Sequence, residues 1–214
     1  MMTVTTIWRY PVKSMAGERL LSTELTETGL VGDRVLQIYD RHGRVATART
    51  FPRLLRLHAT LGTDGEPLVD GLPWRSREVA QFVEEAVGPG ARLKRFDGPE
   101  RFDILTLLVC TDGAVSMFGR DARCLRPNLM IGGVEGMAER TWPGAILRLP
   151  EAEIGLADLR GRCVMTTYDP ETAEQDPGVL RDIVRRFGGQ LCLNAAVTRA
   201  GRIEVGQTIE LLAP

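Results

Sequence analysis

The chain has 214 residues, of which 43% are hydrophobic, and its formal net charge at pH 7 is −1. We expect a chain of this length to form one compact unit or two closely packed subdomains. The balanced charge argues against a nucleic-acid partner, and the apolar runs are too short to span a membrane. The N-terminus lacks the pattern of a signal peptide, so we expect a cytoplasmic enzyme or binding protein.

Patterns typical of β-strands dominate the first 60 residues. The segment TTIWRYPVKS predicts a strand that ends at Pro11, and residues 29–50 predict a hairpin with DRHG as its turn. A further strand is predicted by alternating apolar residues at positions 55, 57, 59 and 61. The period then changes, and apolar residues at helical spacing predict a helix capped by Ser76 and ended by Gly88.

The second half continues with short strands and two helices. Strands are predicted in the segments ILTLLVC, NLMIGGV, AILRL, AEIGLAD, RCVMTTYD, QLCLNAAV and GRIEVGQTIELL. Helices are predicted in TDGAVSMFGRD and in DPGVLRDIVRRFGG, the latter with Asp176 as N-cap and Pro177 at the first position. The linker-like residues 98–103 separate the two halves. We therefore predict a β-dominated α+β fold with a closed or nearly closed β structure.

The four cysteines stand at positions 110, 124, 163 and 192. Their wide, irregular gaps do not match a disulfide framework, a zinc site or an iron–sulfur set, so we expect free thiols in a reducing compartment. Cys110 and Cys192 lie in apolar strand segments, as small buried hydrophobes do, and Cys124 could be structural or functional. Cys163 differs because its neighbours are polar and cationic.

Cationic and amide residues recur where predicted strands pass into loops. They are Lys13, Ser14, Arg34, Arg126, Asn128 and Arg162. Such groups suit a bound phosphate together with a ring that has hydrogen-bonding edges, such as a pterin. A cysteine thiolate among arginines is a soft ligand for a redox metal or a carrier of sulfane sulfur. Common catalytic motifs are absent from the sequence, and two histidines are too few for a histidine-rich metal site.

Nearly the whole chain resembles the MOSC-domain proteins, the family of the molybdenum-cofactor sulfurase C-terminal domain. It looks most similar to the branch that contains the amidoxime-reducing components. In the N-terminal part the resemblance rests on YPVKSMAG, GLVGDR and GRVATARTFPRL. In the C-terminal part it rests on CLRPNLMI, AERTW, RCVMTTYDPET and GRIEVGQTIELL.

The resemblance implies an architecture and a cofactor site. An N-terminal β-barrel-like subdomain, residues 1–97, would pack on a C-terminal MOSC-type β-barrel with a few short helices, residues 98–214. Molybdenum cofactor (molybdopterin with its metal) would lie in the cleft between them, with Cys163 as the metal ligand. The six cationic and amide residues match family positions that contact the cofactor. Asp103 matches an aspartate that lines the metal site, and we take it with Cys163 as the catalytic pair.

The resemblance also implies an activity, the reduction of N-hydroxylated or N-oxide-type small molecules by a molybdenum-dependent oxidoreductase. Ile104 and Leu105 follow Asp103 where amidoxime reducers carry polar residues. We expect separate electron-transfer proteins, such as a ferredoxin or a flavin reductase, since no ferredoxin domain is recognised in this sequence. The pyridoxal-phosphate desulfurase domain of full-length sulfurases is likewise not recognised. One alternative is a molybdenum-cofactor or sulfur (persulfide) carrier without its own turnover. Another is a β-barrel module that binds a different anionic ligand.

Overall fold

The computed structural model describes residues 1–96 and 98–213. Its strands are β1 (Met2–Arg9), β2 (Glu18–Leu20), β3 (Ser22–Thr26), β4 (Gly29–Leu30), β5 (Leu36–Tyr39), β6 (Val45–Ala46), β7 (Ala59–Leu61), β8 (Pro67–Val69), β9 (Leu72–Pro73), β10 (Arg92–Arg95), β11 (Leu107–Thr111), β12 (Leu129–Gly132), β13 (Ile146–Arg148), β14 (Glu153–Gly161), β15 (Gln190–Arg199), β16 (Gly201–Glu204) and β17 (Thr208–Leu212). The helices are α1 (Arg77–Val87), α2 (Asp112–Phe118) and α3 (Gly178–Phe187).

Seven of these strands close into a barrel. Starting from β1, the order is β12, β11, β15, β14, β13 and β17, and β17 pairs with β1 again. The pairs are antiparallel except β11 with β12, which are parallel. Apolar side chains from alternate positions, among them Val4, Ile7, Val109, Ile131 and Leu193, fill one continuous core. The β-dominated α+β fold with a closed barrel, predicted from many short strands, is confirmed.

The rest of the N-terminal half forms small sheets. Two of them, β10-β5-β6 and β7-β8-β9, surround a second core, whereas the third, β16-β3-β4, packs its buried residues into the barrel core. Helix α1 packs into the second core through Val79 and Val83, and its first turn is capped by Ser76, whose Oγ accepts a hydrogen bond from the Val79 amide at 3.2 Å. The predicted helix in this segment is therefore confirmed.

Chain order and spatial order differ in this molecule. Strand β1, the first in the chain, is a full member of the C-terminal barrel, and β16 pairs with β3 of the N-terminal half. The predicted boundary between the two subdomains falls between residues 97 and 98, and residue 97 lies outside the described residues. That boundary stays a prediction.

Two strand predictions are wrong. Residues 52–56 form a 3-10 turn, so only Ala59–Leu61 of the alternating segment is a strand. Pro52 starts this turn, since its fixed backbone angle suits a first helical position and it cannot donate to a strand ladder. The segment after Cys163 is also a 3-10 turn, Val164–Thr167, because the Thr166 and Thr167 hydroxyls bond back to the carbonyls of Cys163 and Val164.

The expectation of four free thiols is wrong for two of them. Cys110 of β11 and Cys192 of β15 are joined by a disulfide, whereas Cys124 and Cys163 are free and half-buried. Antiparallel pairing places Val109 opposite Leu193, so the next residues along each strand, Cys110 and Cys192, face each other. They lie 82 positions apart in the sequence, and only the sheet register brings them together.

The predicted start of α3 is displaced by one residue. Pro177 occupies the N-cap position and Gly178 begins the helix, while Asp176 accepts a hydrogen bond from the Gly178 amide at 2.8 Å. The apolar stripe of α3, with Val179, Ile183 and Phe187, covers the barrel surface beside the disulfide. The described part of the chain contains no helix that is long and apolar enough to cross a membrane.

Candidate functional site

A cavity of about 820 Å³, including the part open to solvent, lies between the N-terminal half and the barrel. Every predicted site residue lines it. They are Lys13, Ser14, Arg34, Asp103, Arg126, Asn128, Arg162 and Cys163. The sequence places these residues up to 150 positions apart, and the fold brings them to one cavity wall.

Other lining residues escaped the sequence analysis, chiefly Thr47, Arg49, Phe102, Arg160 and Asn194. Arg160 could have been found, because it stands two positions before Arg162, which directly follows the same strand, and alternate residues of a strand share a face. The β14 ladder is irregular between Leu156 and Gly161. Such irregularities re-aim side chains, and here both Arg160 and Arg162 reach the cavity. Arg49 carried no comparable local signal.

Cys163 is fixed on both sides by the backbone. The Arg162 amide donates to the Gly189 carbonyl at 2.8 Å, and the Cys163 carbonyl accepts from the Thr166 amide at 3.0 Å and from the Thr166 hydroxyl at 2.8 Å. The residue itself is extended and half-buried, at the point where β14 passes into the 3-10 turn. The thiol is thereby held at the cavity wall by a rigid turn.

Asp103 is the carboxylate at the centre of a cationic cluster. Its oxygens lie 2.8 Å from Lys13 Nζ, 2.6 Å from Arg49 Nη2 and 3.6 Å from Arg160 Nη2. Burial alone would raise the pKa of Asp103, but these three cations outweigh it and hold that pKa below its usual value. Asp103 is therefore ionised at neutral pH.

Arg49 links this cluster to the thiol. Its guanidinium hydrogen-bonds Asp103 at 2.6 Å, lines the same cavity as Cys163 and interacts with it electrostatically. Burial lowers the pKa of Arg49, but the interactions with Asp103 and Cys163 overcome this effect, so the net shift is upward. Arg49 thus remains a cation beside the cysteine at any physiological pH.

A second polar cluster, around the fully buried Asp33, supports another part of the cavity lining. One Asp33 oxygen accepts from the Tyr10 amide at 2.7 Å, and the other accepts from Asn128 Nδ2 at 3.2 Å and pairs with Arg34. Asn128 also donates to the Trp8 carbonyl at 3.2 Å and accepts from the Leu108 amide at 3.1 Å. The Asn128 amide is thus engaged by protein groups on both its nitrogen and its oxygen, which makes it a positioning residue for the loop.

The backbone at this cavity is unusually often left-handed. Ser14, Arg34 and Arg126 have φ values of 74°, 53° and 55°, and they are three of the six such non-glycine residues in the described chain. Side chains other than glycine rarely adopt this conformation, and it costs on the order of 1 kcal/mol or more at each position. Clustering at one cavity indicates that surrounding contacts impose the conformation for function.

Two arginines of the cavity wall are half-buried and make few hydrogen bonds. Arg162 donates from Nη2 to the Leu125 carbonyl at 2.7 Å, while its Nε is buried and has no hydrogen-bond partner. Arg126 donates to the Met15 carbonyl at 2.8 Å. Desolvation lowers the pKa of each guanidinium to about 10. A partly desolvated cation and an orphaned donor are both costly, and an anionic ligand would relieve both costs.

Among the residues that the structure describes, the cavity lining carries six cationic side chains and a single carboxylate, that of Asp103. Within residues 1–96 and 98–213, no group of three or more histidine, cysteine or acidic side chains could hold a metal ion. A metal at Cys163 would therefore need most of its ligands from a bound molecule. The surplus of positive charge, the free thiol and the orphaned Arg162 Nε together fit an anionic cofactor that brings its own metal ligands.

Comparison with known families defines the class of protein. The MOSC N-terminal beta barrel domain matches residues 1–77, and the MOSC domain matches residues 116–210. The chain belongs to the MOSC proteins, with both of these domains in the order the sequence predicted.

Curated relatives and a solved structure agree with this class. Mitochondrial amidoxime reducing component 2 of Rattus norvegicus is 26% identical, over 79% of this chain and 68% of that protein. Mitochondrial amidoxime-reducing component 1 of Homo sapiens is 25% identical, over 79% of this chain and 67% of that protein. The YUAD protein from Bacillus subtilis matches with a TM-score of 0.54 at 14% identity, over 100% of this chain and 97% of that one, and supports the fold alone.

Proposed function

We propose that this protein is a molybdenum-cofactor-dependent oxidoreductase that reduces N-hydroxylated or N-oxide-type small molecules, with Cys163 as the protein ligand of the metal. The observation that carries the proposal is the cavity in which a half-buried free thiol faces six cationic side chains. The MOSC class and the names of the curated relatives support the same conclusion.

The cationic residues would have different roles in holding the cofactor. Arg126 and Arg162, half-buried and short of partners, would bind its anionic groups, and Ser14 would contribute its hydroxyl from the opposite wall. Arg34 stays paired with Asp33 and positions the loop beside Asn128. No group of three or more histidine, cysteine or acidic side chains among the described residues could hold a metal ion. The Cys163 thiolate would therefore be the protein's ligand to a metal that the cofactor otherwise coordinates.

The cofactor, when bound, supplies the two-electron chemistry at the metal. Cleavage of the N–O bond consumes two electrons and two protons and releases water. Asp103 is ionised, so it is a poor proton donor, and protons must come from solvent or from the substrate. Asp103 acts instead as a fixed anion that orients Lys13, Arg49 and Arg160.

The electrons would come from a separate electron-transfer protein, such as a ferredoxin or a flavin reductase. The mouth of the cavity suits a small-molecule substrate, with Leu105, Phe102 and Met165 as its apolar part. A cytoplasmic location remains part of the proposal.

The test is metal and pterin analysis after expression in a host that makes molybdenum cofactor. Wild type is compared with Cys163→Ser and with Cys124→Ser, a matched cysteine that does not line this cavity. We expect near-stoichiometric molybdenum and amidoxime reduction with an artificial electron donor in wild type and in Cys124→Ser. Cys163→Ser should lose the activity and bind the metal weakly.

Other outcomes point to different functions. Cofactor bound without turnover, or a labile sulfur atom on Cys163, would favour the carrier. Neither pterin nor molybdenum in any variant, from a competent host, would overturn the proposal and favour a module for another anionic ligand.

A further inference from the structure

A second cavity, of about 610 Å³ with its open part included, lies beside the first and shares Arg126 and Met165 with it. Both halves of the chain line it. The N-terminal half supplies Trp8, Tyr10 and Leu55, and the barrel half supplies Cys124 and Tyr168. Apart from Arg126, none of the proposed cofactor contacts lines this space, and neither does Cys163.

The wall formed by β1 and the residue that follows it is aromatic. The rings of Trp8 and Tyr10 stack with centroids 6.3 Å apart and planes 15° from parallel. Tyr10 is buried, its hydroxyl donates to the Pro127 carbonyl at 3.2 Å, and the Arg126 and Arg34 guanidiniums lie over its ring. The half-buried Trp8 ring, backed by Tyr10, is therefore the aromatic surface that a planar ring can contact.

The cavity also contains a cation that the protein does not neutralise. The Arg126 guanidinium lies over the Tyr10 ring, with its carbon 4.3 Å from the centroid. In the described part of the chain it makes one side-chain hydrogen bond, to Met15, and no salt bridge. By contrast, Arg123 at the same cavity is paired with Asp121 at 2.7 Å and with Glu171. Arg126 is therefore the group here that is available to an anion.

We propose that this second cavity binds a planar aromatic carboxylate, with the ring against Trp8 and the carboxylate at Arg126. The guanidinium fork matches a carboxylate in two parallel hydrogen bonds. The remaining apolar wall, which includes Leu55, Met165 and Pro170, encloses the ring. The site requires no metal or pterin, but it shares Arg126 with the proposed cofactor site, so it is tested on protein without cofactor.

The test is calorimetric titration of the full chain, without cofactor, with 2-naphthoate and with its neutral analogue 2-naphthamide. We expect 2-naphthoate to bind with a Kd below about 1 mM and the amide to bind at least about tenfold more weakly, since it lacks the charge that Arg126 recognises. No binding up to about 5 mM, or equal affinity for acid and amide, would overturn the proposal.

Three variants locate the ligand. Cys124→Leu fills the second cavity and should weaken binding at least about tenfold, whereas Cys124→Ala, which enlarges it, should retain binding. Cys163→Ser alters the first cavity only, and its titration should match wild type. Equal binding by Cys124→Leu, or loss of binding in Cys163→Ser, would place the ligand elsewhere and refute the assignment.

A labelling experiment covers the case in which Cys124→Leu does not fold. Wild-type protein is treated with a thiol-alkylating reagent with and without 2-naphthoate, and the modified peptides are quantified by mass spectrometry. The ligand should slow modification of Cys124 and leave that of Cys163 unchanged. Equal rates at Cys124 with and without ligand would contradict the proposal.

Discussion

Replacing Asp103 with Asn tests the electrostatic account of the cavity. The change removes the one carboxylate of the cavity lining, which contacts Lys13, Arg49 and Arg160, and keeps the shape of the side chain. The Asp103 side chain is about one-third exposed (32%), so solvent screens part of each interaction. At about 0.5 kcal/mol for each of the three ion pairs, the free energy of unfolding should fall by about 1.5 kcal/mol at pH 7. For a chain of this length, that corresponds to a Tm lower by roughly 3–6 °C.

The pH dependence of this difference gives the sharper check. The pKa of Asp103 is lower in the folded state than in the unfolded chain, so its stabilising contribution is fully present above its ordinary pKa. That contribution is lost as the pH falls through the lower, folded-state value. Urea unfolding of wild type and D103N should thus differ at pH 7 and converge under acid conditions. A difference that persists or grows in acid would refute the reasoning.

The same substitution should have the opposite effect on anion binding, because three cations lose their neutralising partner. Inorganic phosphate, measured by its stabilisation of the folded protein, should raise the Tm of D103N more than that of wild type. Arg49→Gln is the matched control, since it removes one cation from the same cluster and should reduce the phosphate effect. Equal phosphate effects in wild type and D103N would show that the cluster is not an anion site.

The other predictions concern individual side chains. Arg162→Met should weaken phosphate binding at least about tenfold yet leave the Tm unchanged or higher, because a guanidinium with a buried, orphaned Nε is replaced by an apolar chain of similar length. Thermal unfolding with and without phosphate measures both effects, and a fall in Tm would contradict the reasoning. Asn128→Ala should lower the free energy of unfolding by about 2–4 kcal/mol, because Asp33 and two backbone groups, the Trp8 carbonyl and the Leu108 amide, lose partners. A loss below about 1 kcal/mol in urea unfolding would argue against its positioning role. Burial raises the pKa of Cys124 to about 11, so its alkylation should be slow at pH 8 and accelerate up to about pH 11. Peptide mass spectrometry measures the alkylation rate, and a rate that does not change over this pH range would contradict the buried environment.

The elements that the sequence predicted well have strong local signals. Helix α1 follows from helical apolar spacing between a capping serine and a glycine, and the final strand pair follows from alternation broken at Gly206. Local hydrogen bonds that compete with a strand ladder were harder to recognise. The threonines after Cys163 have high strand propensity, but their hydroxyls bond back to the chain and form a turn.

The same distinction between local signals and contacts of distant segments applies to the site residues. Lys13, Arg126 and Cys163 stand in distinctive motifs, and each lines the cavity. Arg49 stands in one of the recognised motifs too, but its role depends on distances to Asp103 and Cys163 that no spacing along the chain reveals. The disulfide was missed for a related reason, since its two cysteines meet only through the register of β11 and β15.

The closure of the barrel by β1 and β17 has a consequence for how the chain folds. Met2 pairs with Ile209, so the first strand finds this neighbour only after nearly the whole chain has been synthesised. Contacts between such distant segments carry a large loop-closure entropy and slow the search for the native state. The residues that line the cavity run from Lys13 to Asn194, so widely separated segments must come together before the cavity exists. The cofactor that we propose would therefore bind only after the barrel has closed.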